Sequence, residues 1–142
     1  MPLINAHCVE LADIAGLQIY PLADLPKVLP APVGVVLPPN ADLTLLAARL
    51  SDFAVIAIEF PKFRDGRGFT LARTLRQHGY QGDLRAVGHF LPDQFLALRA
   101  CGFSSFLTPP EHALAQFNAV LTAPHQSGQL LRRSLPRALE TT

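Results

Sequence analysis

The amino-acid sequence predicts a single α/β domain built on a mainly parallel sheet. Short apolar runs alternate four times with helical periods after residue 32, which is the pattern of repeated strand–helix units. The apolar runs are nearly continuous, as in strands that are buried on both faces of a sheet. The connections between them are short, which favours right-handed crossovers between parallel strands. About four such units fit two architectures, a half-barrel and a doubly wound sheet of three layers.

The chain divides into three predicted parts. Prolines crowd residues 21–39 and exclude long helices there. We therefore interpret residues 1–32 as an irregular proline-rich arm or an edge hairpin, with a short strand at 17–20. Residues 33–123 form the α/β domain. The periodicity stops after it, so residues 124–142 indicate a flexible basic tail.

Each element of the domain has a local reason in the sequence. Asn40 or Asp42 can cap a first helix, Thr70 can begin a second one, and Gly79 ends it. A proline at the first turn and a glycine past the last turn mark the third helix. The predicted strands lie at 33–37, 53–60, 84–88 and 104–107. The predicted helices lie at 42–51, 70–78, 92–101 and from 109 to about 121.

Composition excludes several classes of protein. The net charge of +1 argues against nucleic-acid binding by bulk charge, and no apolar run approaches the roughly 20 residues of a membrane helix. Cys8 and Cys101 are too few for a disulfide framework, a metal cluster or an iron–sulfur site. We expect a cytoplasmic protein with no metal and no cofactor of its own.

Charge is distributed unevenly along the chain. Residues 1–60 carry two basic and six acidic residues, a net charge of −4, whereas residues 61–99 carry seven basic and three acidic residues, a net charge of +4. Six of those seven basic residues are arginines, which bind planar anions through paired hydrogen bonds. Such a run is also typical of solvated helix faces, so charge alone does not decide between the two interpretations.

The basic residues fall where ligands bind in α/β sheets, beyond the carboxyl ends of the strands. The loop after the second predicted strand supplies Lys62, Arg64 and Arg67, and the loop after the third supplies His89. We predict that these four residues line an anion-binding edge, with no catalytic residue assigned. Asp65 and Gly66 would organise the first loop. The alternative is a purely structural turn in which Asp65 pairs with Arg67.

Arg85 is charged and lies within a predicted inner strand. Such a side chain must reach a sheet end or pair with a carboxylate. Glu59 lies in the adjacent predicted strand, so the sequence predicts a structural ion pair between Arg85 and Glu59.

Several separated blocks of this sequence carry a resemblance to known proteins. The blocks are FPKFRDGRGF at 60–69, AR at 72–73, LR at 75–76, GDLRAVG at 82–88 and RACGF at 99–103, with Gln94 between the last two. In this order they resemble a bacterial family of proteins of unknown function, domain-of-unknown-function 934. The resemblance covers about residues 40–122. In the family an aspartate usually follows the Ala-Val-Gly block, where this chain has His89.

The resemblance implies a part in sulfite reduction during sulfur assimilation. We therefore expect an accessory protein that docks on sulfite reductase or on its electron donor. One alternative is a small oxyanion- or phosphate-binding α/β enzyme that resembles part of a βα barrel. Its four units would leave open sheet edges unless these are covered or the chain forms a homodimer. The other alternative is a non-catalytic scaffold.

Overall fold

The computed structural model describes residues 3–25, 32–46, 48–62, 64, 66–110, 112 and 114–122. One six-stranded sheet organises this part of the chain, and three α-helices pack on it. The strands are β1 (Leu3–Asn5), β2 (Gln18–Pro21), β3 (Val33–Leu37), β4 (Val55–Phe60), β5 (Asp83–Gly88) and β6 (Ser105–Leu107). The helices are α1 (Arg67–Gln77), α2 (Phe95–Ala100) and α3 (Leu114–Thr122). The predicted α/β class with a mainly parallel sheet is confirmed.

The sheet is wound in one direction only. From β2 to β6 the strands lie side by side in chain order and run parallel, and β1 pairs antiparallel with the far side of β6. A doubly wound sheet instead reverses its strand order at a switch point. The observed order therefore matches the half-barrel alternative and not the doubly wound one.

The three helices cover the same face of the sheet, here called the helix face. Phe60 of β4 and Phe106 of β6 both point to it, because their register partners on β5 lie two residues apart. Gly68 of α1 packs against the Phe60 ring. Phe95 of α2 contacts Phe106 at 4.5 Å between ring centroids and Phe117 of α3 at 6.1 Å. A phenylalanine cluster thus joins all three helices to the sheet.

Residues 12–17, here called the strap, cross the opposite face of the sheet, here called the back face. Just before the strap, the Leu11 N–H donates a hydrogen bond to the Leu3 carbonyl at one outer strand of the sheet, β1. The strap then leads into β2, the outer strand on the other side. Midway, the Asp13 carboxylate binds Arg85 of β5. The strap therefore ties the two edges of the sheet together across its middle.

The proline-rich arm contributes more order than the sequence predicts. Its short predicted strand at 17–20 is present as β2, shifted by one residue. Residues 3–11 form the edge hairpin, with Ile4 bridged to Glu10 outside β1. Irregular structure is therefore the wrong description for these segments, because pairing with β3 and β6 satisfies their backbone groups. The tail predicted over 124–142 lies outside the described residues, and its flexibility stays a prediction.

The α-helix predicted over 42–51 is wrong. Two 3-10 helices, Leu43–Leu45 and Leu50–Asp52, take its place, joined by a turn in which Arg49 donates its N–H to the Leu46 carbonyl. The Asp42 side chain accepts the Thr44 N–H at 3.0 Å and so begins the first 3-10 turn. Leu46, which follows that turn, is completely buried. Tertiary packing therefore overrides the helical period of this segment.

Candidate functional site

The carboxyl ends of the parallel strands lie together at one end of the sheet. Lys62 and Arg64 follow β4, Arg67 is the first residue of α1, and His89 follows β5 directly. All four side chains are exposed. We call this set of four residues the basic edge. The structure brings them to neighbouring strand ends, as the sequence predicts, and leaves them exposed there.

Close backbone packing around Phe60 positions the basic edge. Gly88 has a φ of 105°, and a Cβ there would lie 2.4 Å from the Phe60 carbonyl oxygen. That carbonyl accepts the N–H of His89 at 2.7 Å. On the other side, a Cβ on Gly68 would meet the Phe60 ring at 2.6 Å. Two glycines therefore let His89 and the start of α1 approach the end of β4.

Asp65 and Gly66 were predicted to organise the loop before α1, and the structure describes only Gly66 of the two. Gly66 has an ordinary φ of −84°, and a Cβ there would meet no atom within 4 Å. Its conformation therefore does not require glycine, unlike that of Gly88. Asp65 lies outside the described residues, so its predicted role in organising the loop stays a prediction.

A cavity of about 400 Å³ opens at the same end of the sheet, beside the basic edge. It lies at the carboxyl ends of β2, β3 and β4 and carries two acidic side chains, Asp42 and Glu59. None of the four predicted anion-binding residues lines it. Sequence analysis missed this cavity because β2 forms one wall, and the arm that contains β2 lacks a regular pattern.

Arg85 makes its ion pairs on the back face. Its guanidinium binds both carboxylate oxygens of Asp13, at 3.0 and 3.3 Å, and one oxygen of Asp83 at 3.4 Å. Ser105 donates to Asp83 at 2.8 Å and accepts from Arg85. The predicted partner, Glu59, stands opposite Val87 in the sheet and is exposed. Arg85 is thus an ion-paired residue with partners that the sequence analysis did not name.

Burial and charge explain why this network is stable. Arg85 is only 4% exposed, so its charge needs nearby carboxylates. The hydrogen bond from Arg85 in turn holds the pKa of Asp13 below its ordinary value. The network fastens the strap to the sheet, and its arginine is fully engaged within the protein.

Arg76, in the last turn of α1, is a second structural arginine. Its guanidinium donates four hydrogen bonds, two to the Gly102 carbonyl and one each to the carbonyls of Tyr80 and Gly82. These carbonyls belong to the turns before β5 and β6. Nothing local marks Arg76, because its main partner lies 26 residues away.

A second cavity, of about 480 Å³, lies at the amino ends of β4 and β5. Phe53, His78 and Tyr80 contribute to its lining. The Tyr80 hydroxyl donates to the Phe53 carbonyl at 3.1 Å, and burial raises the pKa of this hydroxyl well above its usual range. This end of a parallel sheet is not where ligands usually bind, and Tyr80 serves here to join the two strand starts.

No cluster of three or more histidine, cysteine or carboxylate side chains is arranged to hold a metal ion among the residues that the structure describes. Within the same residues, every helix is too short or too polar to cross a lipid bilayer.

Comparison with known proteins gives one match. A family model described as "Bacterial protein of unknown function (DUF934)" matches residues 34–131. The match extends at both ends beyond the resemblance found over about residues 40–122. Neither the curated proteins nor the solved structures gave a match.

Proposed function

The chain belongs to the DUF934 family of bacterial proteins, and on that premise we propose that it is an accessory protein of assimilatory sulfite reduction. In this proposal it docks on sulfite reductase, or on the protein that supplies its electrons, through the basic edge. The resemblance in the sequence supplies the pathway. The exposed cationic edge supports the mode of action.

The single observation that carries the docking mode is the exposure of all four predicted residues on one edge. An enclosed oxyanion site needs donors that converge in a cleft, where water competes less. Here neither described cavity is lined by a residue of the basic edge. Exposed guanidinium groups on a rim suit a large acidic surface, where they speed encounter and set orientation.

The difference in burial among the arginines also supports docking through the basic edge. Arg76 and Arg85 donate hydrogen bonds inside the fold and are half-buried and buried, respectively, and Arg99 donates to the Ala6 carbonyl at 3.0 Å. Arg64 and Arg67 are exposed at the strand ends, so a large acidic partner can reach them. Arg73 of α1 is also exposed and lies outside the basic edge.

Co-purification from a native host tests the proposal. The tagged full chain should enrich sulfite reductase or its electron donor, and deletion of the gene should impair growth on sulfate as the sulfur source. The double variant Lys62→Glu, Arg67→Glu should lose about tenfold or more in partner recovery, because two attractive charges become repulsive.

Arg73→Glu is the control for position and is compared with the single variant Arg67→Glu, which makes the same change in charge. Arg73 is exposed on α1 but lies six residues beyond Arg67, on another side of the helix. Arg73→Glu should leave recovery close to that of the wild type. The proposal fails if neither protein is enriched and growth on sulfate is unchanged. If sulfite or sulfate alone binds the isolated chain and Arg67→Ala abolishes that binding, the oxyanion-binding alternative is favoured instead.

A further inference from the structure

The cavity at the carboxyl ends of β2, β3 and β4 has the position of a ligand site. Register pairs Pro21 with Val36, and Val36 with Ala57, so the alternating residues Pro21, Val36 and Glu59 share the back face. In singly wound βα folds, residues on the face away from the helices, at the carboxyl ends of strands, surround the ligand. The volume of about 400 Å³ is that of a small-molecule pocket.

The walls of this cavity are mainly apolar. Leu22 and Ala23, in the 3-10 helix that follows β2, form one side. Pro38 and Ala41, in the segment that follows β3, form the other. These groups offer an organic body a surface that excludes water but few hydrogen bonds.

Two carboxylates supply the charge among the lining residues that the structure describes. Asp42 uses Oδ1 to accept from the Thr44 N–H at 3.0 Å and the Thr44 O–H at 2.6 Å. These hydrogen bonds hold the pKa of Asp42 below its ordinary value, so it remains ionised. The Glu59 carboxylate makes no hydrogen bond or ion pair with any other residue that the structure describes.

We propose that this cavity binds a small organic cation, with an apolar body between Leu22, Val36 and Ala41 and a protonated amine beside Glu59. The apolar walls account for the body of the ligand, and the carboxylates account for its charge. The site would be separate from the basic edge in both place and sign of charge. It goes beyond the docking function proposed above and does not depend on it.

Three cyclohexane derivatives of similar size test the proposal on the full chain. Cyclohexylmethylamine carries the cation, cyclohexylmethanol is its neutral counterpart, and cyclohexanecarboxylate carries the opposite charge. Titrations followed by ¹H–¹⁵N NMR should show the amine shifting the amide signals of Ala23, Val36 and Ala41. The amine should bind about tenfold more tightly than the alcohol, the size of one charge-assisted contact partly screened by water. The carboxylate should bind more weakly than either.

Two variants locate the effect. Glu59→Gln should reduce the affinity for the amine to that for the alcohol, while Asp93→Asn, at an exposed carboxylate after β5, should leave the tenfold preference intact. Ala23→Leu should fill the cavity and abolish binding of both compounds. Each variant's NMR spectrum shows directly whether it is folded.

The proposal is overturned if amine and alcohol bind equally, if no probe binds, or if Glu59→Gln keeps the preference. It is also overturned if the shifts map to Ser51, His78 and Gln81, because those residues line the cavity at the opposite edge.

Discussion

The end of the sheet where the parallel strands finish has two halves that differ in charge and in shape. Beyond β4 and β5 lies the exposed basic edge, with Lys62 and Arg67 on its surface. Beyond β2 and β3 lies an apolar cavity with Asp42 and Glu59 at its lining. The difference teaches that a strand-end position identifies where a ligand can bind, whereas burial and charge decide what kind of ligand fits.

The same contrast separates the arginines. Arg85 is buried among carboxylates on the back face, and Arg67 is exposed at the start of α1. A basic stretch in the sequence therefore contains two populations, one that stabilises the fold and one that faces solvent. The predictions that follow test this division by stability, by pH and by binding.

The largest expected effect comes from the glycine at the junction of β5 and the basic edge. Gly88→Ala should lower the free energy of unfolding by more than about 3 kcal/mol, because it combines a positive φ with a Cβ pressed against the Phe60 carbonyl. Gly79→Ala is the control, since its φ of 91° carries the same strain in open space. It should cost only about 1–2 kcal/mol. Equal losses in urea denaturation would refute the close-packing account.

The next effect distinguishes the two populations of arginine. Arg85→Ala should lower the free energy of unfolding by about 2–4 kcal/mol, because it leaves Asp83 and Ser105 without their cationic partner. Arg67→Ala should cost no more than about 1 kcal/mol, because water screens the contacts of an exposed arginine. Chemical denaturation of both variants measures the difference. Similar costs at the two positions would mean that the basic edge is structural.

A smaller effect depends on pH through the strap. The folded protein holds the pKa of Asp13 below its ordinary value of 3.8, so the ionised form is favoured in the folded state. This contribution to stability is fully present well above pH 3.8 and is lost as the pH falls through the lower folded-state pKa. Asp13→Asn should therefore flatten the acid limb of a stability–pH curve.

The control for this experiment is Asp24→Asn, which changes an exposed carboxylate in the 3-10 helix after β2. It should preserve the acid limb of the wild type. A curve for Asp13→Asn with an unchanged acid limb would contradict a role for the Asp13–Arg85 pair in holding the strap.

The domain's strands could be predicted from local pattern, because buried strands need continuous apolar residues. The run at 33–37 matches β3 in both bounds, and the run at 84–88 matches β5 to within one residue. The bounds of the helices were less predictable. The segment at 42–51 has a helical pattern, but it forms two 3-10 turns with Leu46 buried between them, because tertiary packing overrides the local period.

Long-range partners could not be predicted from a single sequence. Asp13 and Arg85 are 72 residues apart, and no local spacing relates them. The expected partner Glu59 was chosen for its neighbouring strand, yet its register leaves it opposite Val87. The positions of Lys62 and His89 were predictable because the strand-end rule needs only the order of elements. The cavity lined by Asp42 and Glu59 was not predictable, since it requires the pairing of β2 with β3.

Titration of purified sulfite reductase with the full chain, at low and at high salt, measures docking through the basic edge. We expect binding that weakens as the salt concentration is raised. Lys62→Glu with Arg67→Glu should reduce this binding about tenfold or more, and Arg73→Glu should leave it unchanged. The same titration with the electron donor covers the second partner named in the proposal. Absence of binding to both proteins, or equal binding by the wild type and the charge-reversed variant, would contradict docking through the basic edge.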